Sequence, residues 1–298
     1  MLQLSLLILN NLLLKKIVIF GVGLIGGSVA LALKKAGNTA QIVGVGRRQE
    51  HLQTALDLGV IDMATDDIRL ALQDADLVLI ATPVAQTPAI LSVIKPHLNA
   101  NTIITDAGST KSDVLQYAEE ALGSQLNQFI GGHPIAGAEK SGVTAAIADL
   151  YVNKNVVLTP TENTSPQAIS LVTQLWQICG ANVSKMLAAD HDSIFAAVSH
   201  LPHLLAFALV NEIASRQNAA QLFSFAASGF RDFTRIAGSH PEMWRDITLA
   251  NKTALLAELN AYQTQLAALT DMLKNDDAVG LQTLFEHAST ARNAWAKK

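Results

Sequence analysis

The chain has 298 residues, half of them hydrophobic and 15% charged, with a formal net charge of −4 at pH 7. That length allows two cores, and the aliphatic composition excludes a disordered or collagen-like chain. Charges of both signs are spread along the sequence, so there is no basic footprint for nucleic acid or for an anionic membrane surface.

Residues 1–14 carry nine Leu or Ile side chains. No basic segment precedes them, no small-residue cleavage site follows, and a bilayer span takes about 20 apolar residues. They are expected to form an N-terminal extension without a membrane role, which points to a cytoplasmic protein. The single cysteine, Cys179, has no partner for a disulfide or a CxxC metal site and reads as small apolar filler.

Apolar runs at residues 17–20, 41–45, 77–81 and 102–105 alternate with helical or loop stretches. That spacing predicts βαβ units on a parallel sheet. Runs without polar alternation fit strands covered on both faces. Residues 155–159 form a further strand, 167–179 a helix and 182–186 a last short run. Beyond Asp190 the strand signal stops. Ile194, Phe195, Val198, Leu201, Leu205 and Leu209 recur at helical spacing, and residues 240–275 and 276–296 are also helical. The chain therefore divides near residue 188.

Gly21-Val22-Gly23-Leu24-Ile25-Gly26 stands directly after the first strand and opens a helix. In that context the first glycine makes a tight turn, the second admits a pyrophosphate to the backbone, and the third lets helix pack on strand. The phosphates would rest on the N–H groups of Leu24 and Ile25 at the positive end of the helix. Thr82 and Pro83, after the strand at 77–81, complete the expected cofactor set. The fold class is thus α/β, with a Rossmann-type dinucleotide-binding domain over residues 15–188 and an all-α domain over 189–298. An acid about 20 residues beyond the turn would hold a ribose 2′-hydroxyl. This chain has Arg47 and Arg48 there, and guanidinium forks suit a 2′-phosphate. NADP is the expected cofactor, with NAD as the alternative; the other reading of the pair is two solvated surface arginines.

Three further blocks accompany the turn: Asp106-Ala107-Gly108-Ser109-Thr110-Lys111, Gly132-His133-Pro134-Ile135-Ala136-Gly137, and, in the helical half, Ser199-His200-Leu201-Pro202-His203 with Gly229-Phe230-Arg231-Asp232-Phe233-Thr234-Arg235. Together they resemble the prephenate/arogenate dehydrogenase family of tyrosine biosynthesis over about residues 15 to 298. The resemblance implies oxidative decarboxylation of a cyclohexadienol, with hydride passing to a nicotinamide. It implies His133 as the catalytic histidine, bonded to the ring hydroxyl, and Ser109 as the residue that orients it. An imidazole with an ordinary pKa of about 6.5 suits that proton transfer. Taken alone, His133 would read as a core histidine and Ser109 as a helix cap.

The resemblance also implies Arg235 as a bidentate clamp on a substrate carboxylate, with Asp232 beside it, and His203 aimed at the substrate. Pro202 removes one backbone hydrogen bond and should bend the helix that carries His203. Alone, Arg235 and Asp232 read as a weak helix-surface ion pair. Glu139 matches a position near the pocket entrance, and Ala138 stands where some members carry a substrate-touching Thr, so the choice of prephenate or arogenate stays open. Trp244 reads as core or as subunit packing. His200 and His203 are three residues apart, but without a third ligand no metal is expected. Leu201, Leu204, Leu205, Phe207 and Leu209 fall on more than one helix face, which fits the homodimer that the resemblance implies. The competing readings are a β-hydroxyacid-type dehydrogenase or imine reductase, and a non-catalytic NADP-sensing module.

Overall fold

The computed structural model describes residues 14–138 and 140–297. They fall into two compact units, one ending at Asn251 and the other beginning at Lys252. The first is built on an eight-stranded sheet: β1 (Lys16–Phe20), β2 (Gln41–Val45), β3 (Met63–Thr65), β4 (Leu77–Ile80), β5 (Ile103–Asp106), β6 (Phe129–Pro134), β7 (Asn155–Thr159) and β8 (Asn182–Lys185). Their order is β3-β2-β1-β4-β5-β6-β7-β8. Neighbours from β3 to β6 pair in parallel, β6 and β7 pair antiparallel, and β7 and β8 are parallel again.

Alternate residues of β1 feed two different cores, as a pleat of period two requires. Ile17 and Ile19 pack in one with Leu33 and Trp176, while Val18 and Phe20 pack in the other with Leu91 and Leu122. Both faces are dry, which is why these strands read as unbroken apolar runs. Three strands lack that signal, among them β8, whose sequence Asn-Val-Ser-Lys has one apolar residue and is mostly exposed. β3 is only three residues long, and in β6 Gly131-Gly132 interrupts the apolar run. Leu14, the last residue of the expected extension, is buried in the core beside Ile17; residues 1–13 lie outside the described residues.

After β8 a helical stretch runs from Ala188 to Ala214. It consists of α1 (Ala188–Phe195), one π turn (Ala196–His200) and α2 (Leu201–Ala214). Pro202 has no N–H for the regular ladder, and the π turn, of the single-turn kind found inside α-helices, lies just ahead of it. The side chain of His203 adds a bond to this turn, with Nδ1 2.9 Å from the Ser199 carbonyl oxygen. This stretch is long and apolar enough to cross a membrane by length and composition, with a mean hydropathy of 1.7 and 28% of that window buried. Shorter helices at Ala219–Ser224, Ser228–Thr234 and Pro241–Ala250 complete the unit. The second unit is a pair of helices, Lys252–Lys274 and Ala278–Ala296. The Asp277 carboxylate caps the latter, accepting from the Gly280 N–H at 2.9 Å.

Candidate active site

The strand order reverses between β1 and β4, so the crevice beyond their carboxyl ends is where a doubly wound sheet receives a nucleotide. Gly21 turns the chain there at φ +91°, and a Cβ on it would lie 2.7 Å from the Ala81 carbonyl oxygen. A Cβ on Gly26 would run into the Gly21 carbonyl. Gly23 differs: among the described residues, no atom lies within 4 Å of where its Cβ would be. The backbone is thus open at the position a pyrophosphate must approach. It leads into the helix Leu24–Lys35, whose first turn has neither an acidic residue nor a side-chain cap. Thr82 lies against Gly21, and its buried Oγ1 has no hydrogen-bond partner among the described residues. These features fit a bound dinucleotide. Pro83 is exposed at the same edge, and Arg47 and Arg48 are exposed just past the end of β2.

β5 and β6 end at the same edge as β1 and β4, so the loop that carries Ser109 and the end of β6 that carries His133 converge on this crevice. Asp106, the last residue of β5, holds the two together. Its Oδ1 accepts from the Gly132 N–H at 2.9 Å, and its Oδ2 accepts from the Gly108 N–H at 2.8 Å and from the Lys111 ammonium. Both members of the Asp106–Lys111 pair are buried. Ser109 is half-buried between Gly108 and Lys111.

His133 is buried, and its Nδ1 lies 2.8 Å from Nε2 of His191, which is fully buried in α1. His191 Nδ1 lies in turn 2.8 Å from Oδ1 of Asp192. The Asp192 carboxylate is anchored by two backbone donors, Lys111 N–H to Oδ1 and Ser112 N–H to Oδ2, each at 2.8 Å. Phe195 packs against both imidazoles, with centroids 4.9 Å from His133 and 4.4 Å from His191. Burial, reinforced by the neighbouring His191, holds the His133 pKa well below the usual histidine value. Burial lowers His191 as well, against a smaller upward pull from the hydrogen bond to Asp192. For Asp192 burial acts upward, but hydrogen bonds from His191, Ser112 and Lys111 outweigh it and leave the carboxyl below its ordinary value. At neutral pH the set is two neutral imidazoles and one carboxylate.

Neither His191 nor Asp192 is expected from the sequence motifs, and the bond to His133 Nδ1 is made by His191 rather than by Ser109. The available signal was Asp190-His191-Asp192, a polar cluster at the start of an otherwise apolar helix.

On the helical side, Asn251 Nδ2 donates to the Asp192 carbonyl at 2.7 Å and lies 3.0 Å from His200 Nδ1. Burial pushes His200 down to about 4. The His203 ring stacks on Trp244, with centroids 3.6 Å apart and planes 20° from parallel. Burial lowers His203, and the charge of Arg235 lowers it further. Arg235 opens the 3-10 turn Arg235–Gly238 and is exposed, as is Asp232. Glu139 lies outside the described residues. The Nδ1 atoms of His200 and His203 face Asn251 and the Ser199 carbonyl respectively, and among the described residues no group of three His, Cys, Asp or Glu is placed to hold a metal ion.

A doubly wound sheet with a dinucleotide turn and a buried neutral histidine at the same edge defines an NAD(P)-binding dehydrogenase. Comparison with known proteins narrows the class. The sequence model "Prephenate dehydrogenase, nucleotide-binding domain" matches residues 29–185, and "Prephenate dehydrogenase, dimerization domain" matches residues 187–287. The chain is 39% identical over 279 residues to the prephenate dehydrogenase of Bacillus subtilis, covering 93% of this chain and 74% of that protein. The crystal structure of Aquifex aeolicus prephenate dehydrogenase with hydroxyphenyl propionate and NAD+ superposes with a TM-score of 0.89 at 36% identity, over 95% of this chain and 98% of that one. The arogenate dehydrogenase of Synechocystis superposes with a TM-score of 0.80 at 32% identity, over 94% of this chain and all of that one. The chain belongs to the prephenate dehydrogenase family and is an NAD(P)-dependent oxidoreductase.

Proposed function

We propose that the protein oxidatively decarboxylates prephenate to 4-hydroxyphenylpyruvate, with arogenate, which would yield tyrosine directly, as the second substrate to test. The observation that carries this reading is His133: buried, neutral, and at the sheet edge where the dinucleotide turn opens. A neutral imidazole can take the ring hydroxyl proton as the carbonyl forms. The bound nicotinamide supplies the hydride acceptor. The carbonyl conjugates with the carboxyl-bearing carbon, so loss of CO2 leaves an aromatic ring, and no metal or covalent adduct with the protein is needed. Ser109, on the adjoining loop, is proposed to face both histidine and cofactor.

Arg235 and His203 form the proposed carboxylate site, with Asp232 beside it and Glu139 at the entrance. Arg47 and Arg48 support NADP over NAD, although the Aquifex relative was crystallised with NAD+. Residues 15–188 would bind nucleotide and 189–298 would pair two subunits in a cytoplasmic homodimer. The exposed Leu187, Ile194 and Val198 on and beside α1 support that pairing, since apolar side chains of this size call for cover. A steady-state assay crossing prephenate and arogenate with NAD and NADP tests the reading. Turnover of prephenate, fastest with NADP, is expected; no turnover of either substrate would sink it.

A further inference from the structure

We infer that His191 and Asp192 are positioning residues for the reaction: they fix His133 in the tautomer whose Nε2 is free to accept a proton, and they stabilise the cation formed when it does. The inference rests on the proposed role of His133 and extends it to a hydrogen-bond chain crossing from the sheet to the first helix of the helical stretch.

The direction of the chain follows from what each group can donate. Asp192 is a carboxylate and only accepts; Lys111 N–H and Ser112 N–H already point at it. The 2.8 Å contact with His191 therefore requires the proton on His191 Nδ1. A neutral His191 then has only a lone pair at Nε2, and its 2.8 Å contact with His133 requires the proton on His133 Nδ1. Neutral His133 is left with its lone pair on Nε2. Each assignment is forced by the one before, and the first is held by two backbone N–H groups at the start of the helix Ser112–Leu122.

In the reaction the substrate's O–H electrons become the second bond of the carbonyl as the C–H pair leaves that carbon as hydride to the oxidised nicotinamide, and the hydroxyl proton moves to His133 Nε2. The imidazolium so formed keeps Nδ1–H directed at His191, and through it at the Asp192 charge. The same logic makes a buried carboxylate hold a catalytic imidazole in one tautomer in serine hydrolases, here with a second imidazole interposed. Other charged or titratable groups bear on the chain. Asp106 ends β5, Lys111 stands just before the helix Ser112–Leu122, Asp113 lies in that helix, and His200 lies in the π turn. The Lys111 charge is taken up by Asp106, so Asp192 is the anion in direct line.

The experiment compares wild-type protein with His191→Phe, which keeps ring volume but removes both nitrogens, with Asp192→Asn, and with His133→Asn. Three readouts are taken: kcat against pH, cofactor affinity by fluorescence titration, and the tautomer of His133 by 15N NMR of histidine-labelled protein. His191→Phe and Asp192→Asn should each lower kcat by about 10²- to 10⁴-fold, with cofactor affinity within about threefold of wild type. In Asp192→Asn the acid limb of kcat should move to lower pH, because the His133 cation loses the anion in line with it. In wild type His133 should carry its proton on Nδ1, and in His191→Phe it should shift toward Nε2–H. Loss of activity with an unmoved acid limb and an unchanged tautomer would reduce the two residues to packing and overturn the inference. A wild-type His133 protonated on Nε2 would overturn it directly. If His133→Asn is dead while both other variants keep wild-type kcat, only the positioning role fails. If His133→Asn itself turns over, the reading of His133 as the base fails with it.

Discussion

The buried Asp106–Lys111 pair makes a specific contribution to stability. Both residues are essentially inaccessible, at 1% and 0% exposure, and Asp106 also accepts from the Gly108 and Gly132 N–H groups. Asp106→Asn leaves an ammonium buried opposite a neutral amide and weakens two charge-assisted hydrogen bonds. Breaking a buried ion pair from one side costs about 3–5 kcal/mol, a large share of the roughly 5–15 kcal/mol that holds a folded domain. At roughly 2–4 °C per kcal/mol for chains of 150–250 residues, Tm should fall by on the order of 10 °C. Lys111→Met should cost less, about 1–3 kcal/mol, because Asp106 keeps both backbone donors. The double variant, with neither charge buried, should recover at least about 1 kcal/mol relative to the sum of the two single changes. Urea denaturation of the three variants and wild type, at one fixed protein concentration, measures all four corners. An Asp106→Asn protein within about 0.5 kcal/mol of wild type, or strict additivity in the double variant, would refute the reasoning; surface substitutions normally stay inside that margin.

Other perturbations address cofactor, substrate and pH. Arg47→Asp combined with Arg48→Ala should shift the kcat/KM ratio toward NAD by at least about tenfold, since two phosphate-pairing guanidiniums are lost; a variant that still strongly prefers NADP would show that the pair is merely solvated. Arg235→Gln should raise KM about 10- to 100-fold with a smaller change in kcat, the signature of a lost ground-state contact, and an unaltered KM would count against the clamp. His200 has a folded pKa of about 4 against an ordinary 6.5. The unfolded chain therefore binds the proton first as pH falls, and stability present above pH 6.5 is progressively lost down to about pH 4. Roughly 3 kcal/mol is at stake by linkage. Thermal melts at pH 7 and pH 5 should show a larger drop for wild type than for His200→Asn, and equal drops would remove His200 as a source of acid sensitivity.

Much of the sheet is legible in the sequence because its strands are buried on both faces. Residues 17–20, 41–45 and 77–80 have no polar alternation, and the structure puts their odd and even positions in separate cores. The glycine turn is legible for the same kind of reason: Gly21 and Gly26 each meet a carbonyl that excludes any Cβ. β6 was not legible, although it carries His133. Its six residues include Gly131, Gly132 and Pro134, and its pairing with β5 and β7 comes from tertiary context rather than local propensity. The histidine chain was hidden differently. His133 and His191 are 58 positions apart, and the anchors of Asp192 are about 80 positions away. Nothing in a local pattern announces a hydrogen bond closed over that distance. The helical half was legible as helix, but not in its detail: the π turn ahead of Pro202 reflects how one missing N–H is accommodated, which the residue order alone leaves open.

The role of His133 as the base in an oxidative decarboxylation is measured most directly by turnover of His133→Asn beside wild type, with prephenate and NADP at saturation. Reduced cofactor and 4-hydroxyphenylpyruvate should appear together with wild type. With the variant, turnover should fall at least about 10²-fold, while NADP affinity by fluorescence titration stays within about threefold. A variant that turns over at the wild-type rate with NADP still bound would contradict the central claim.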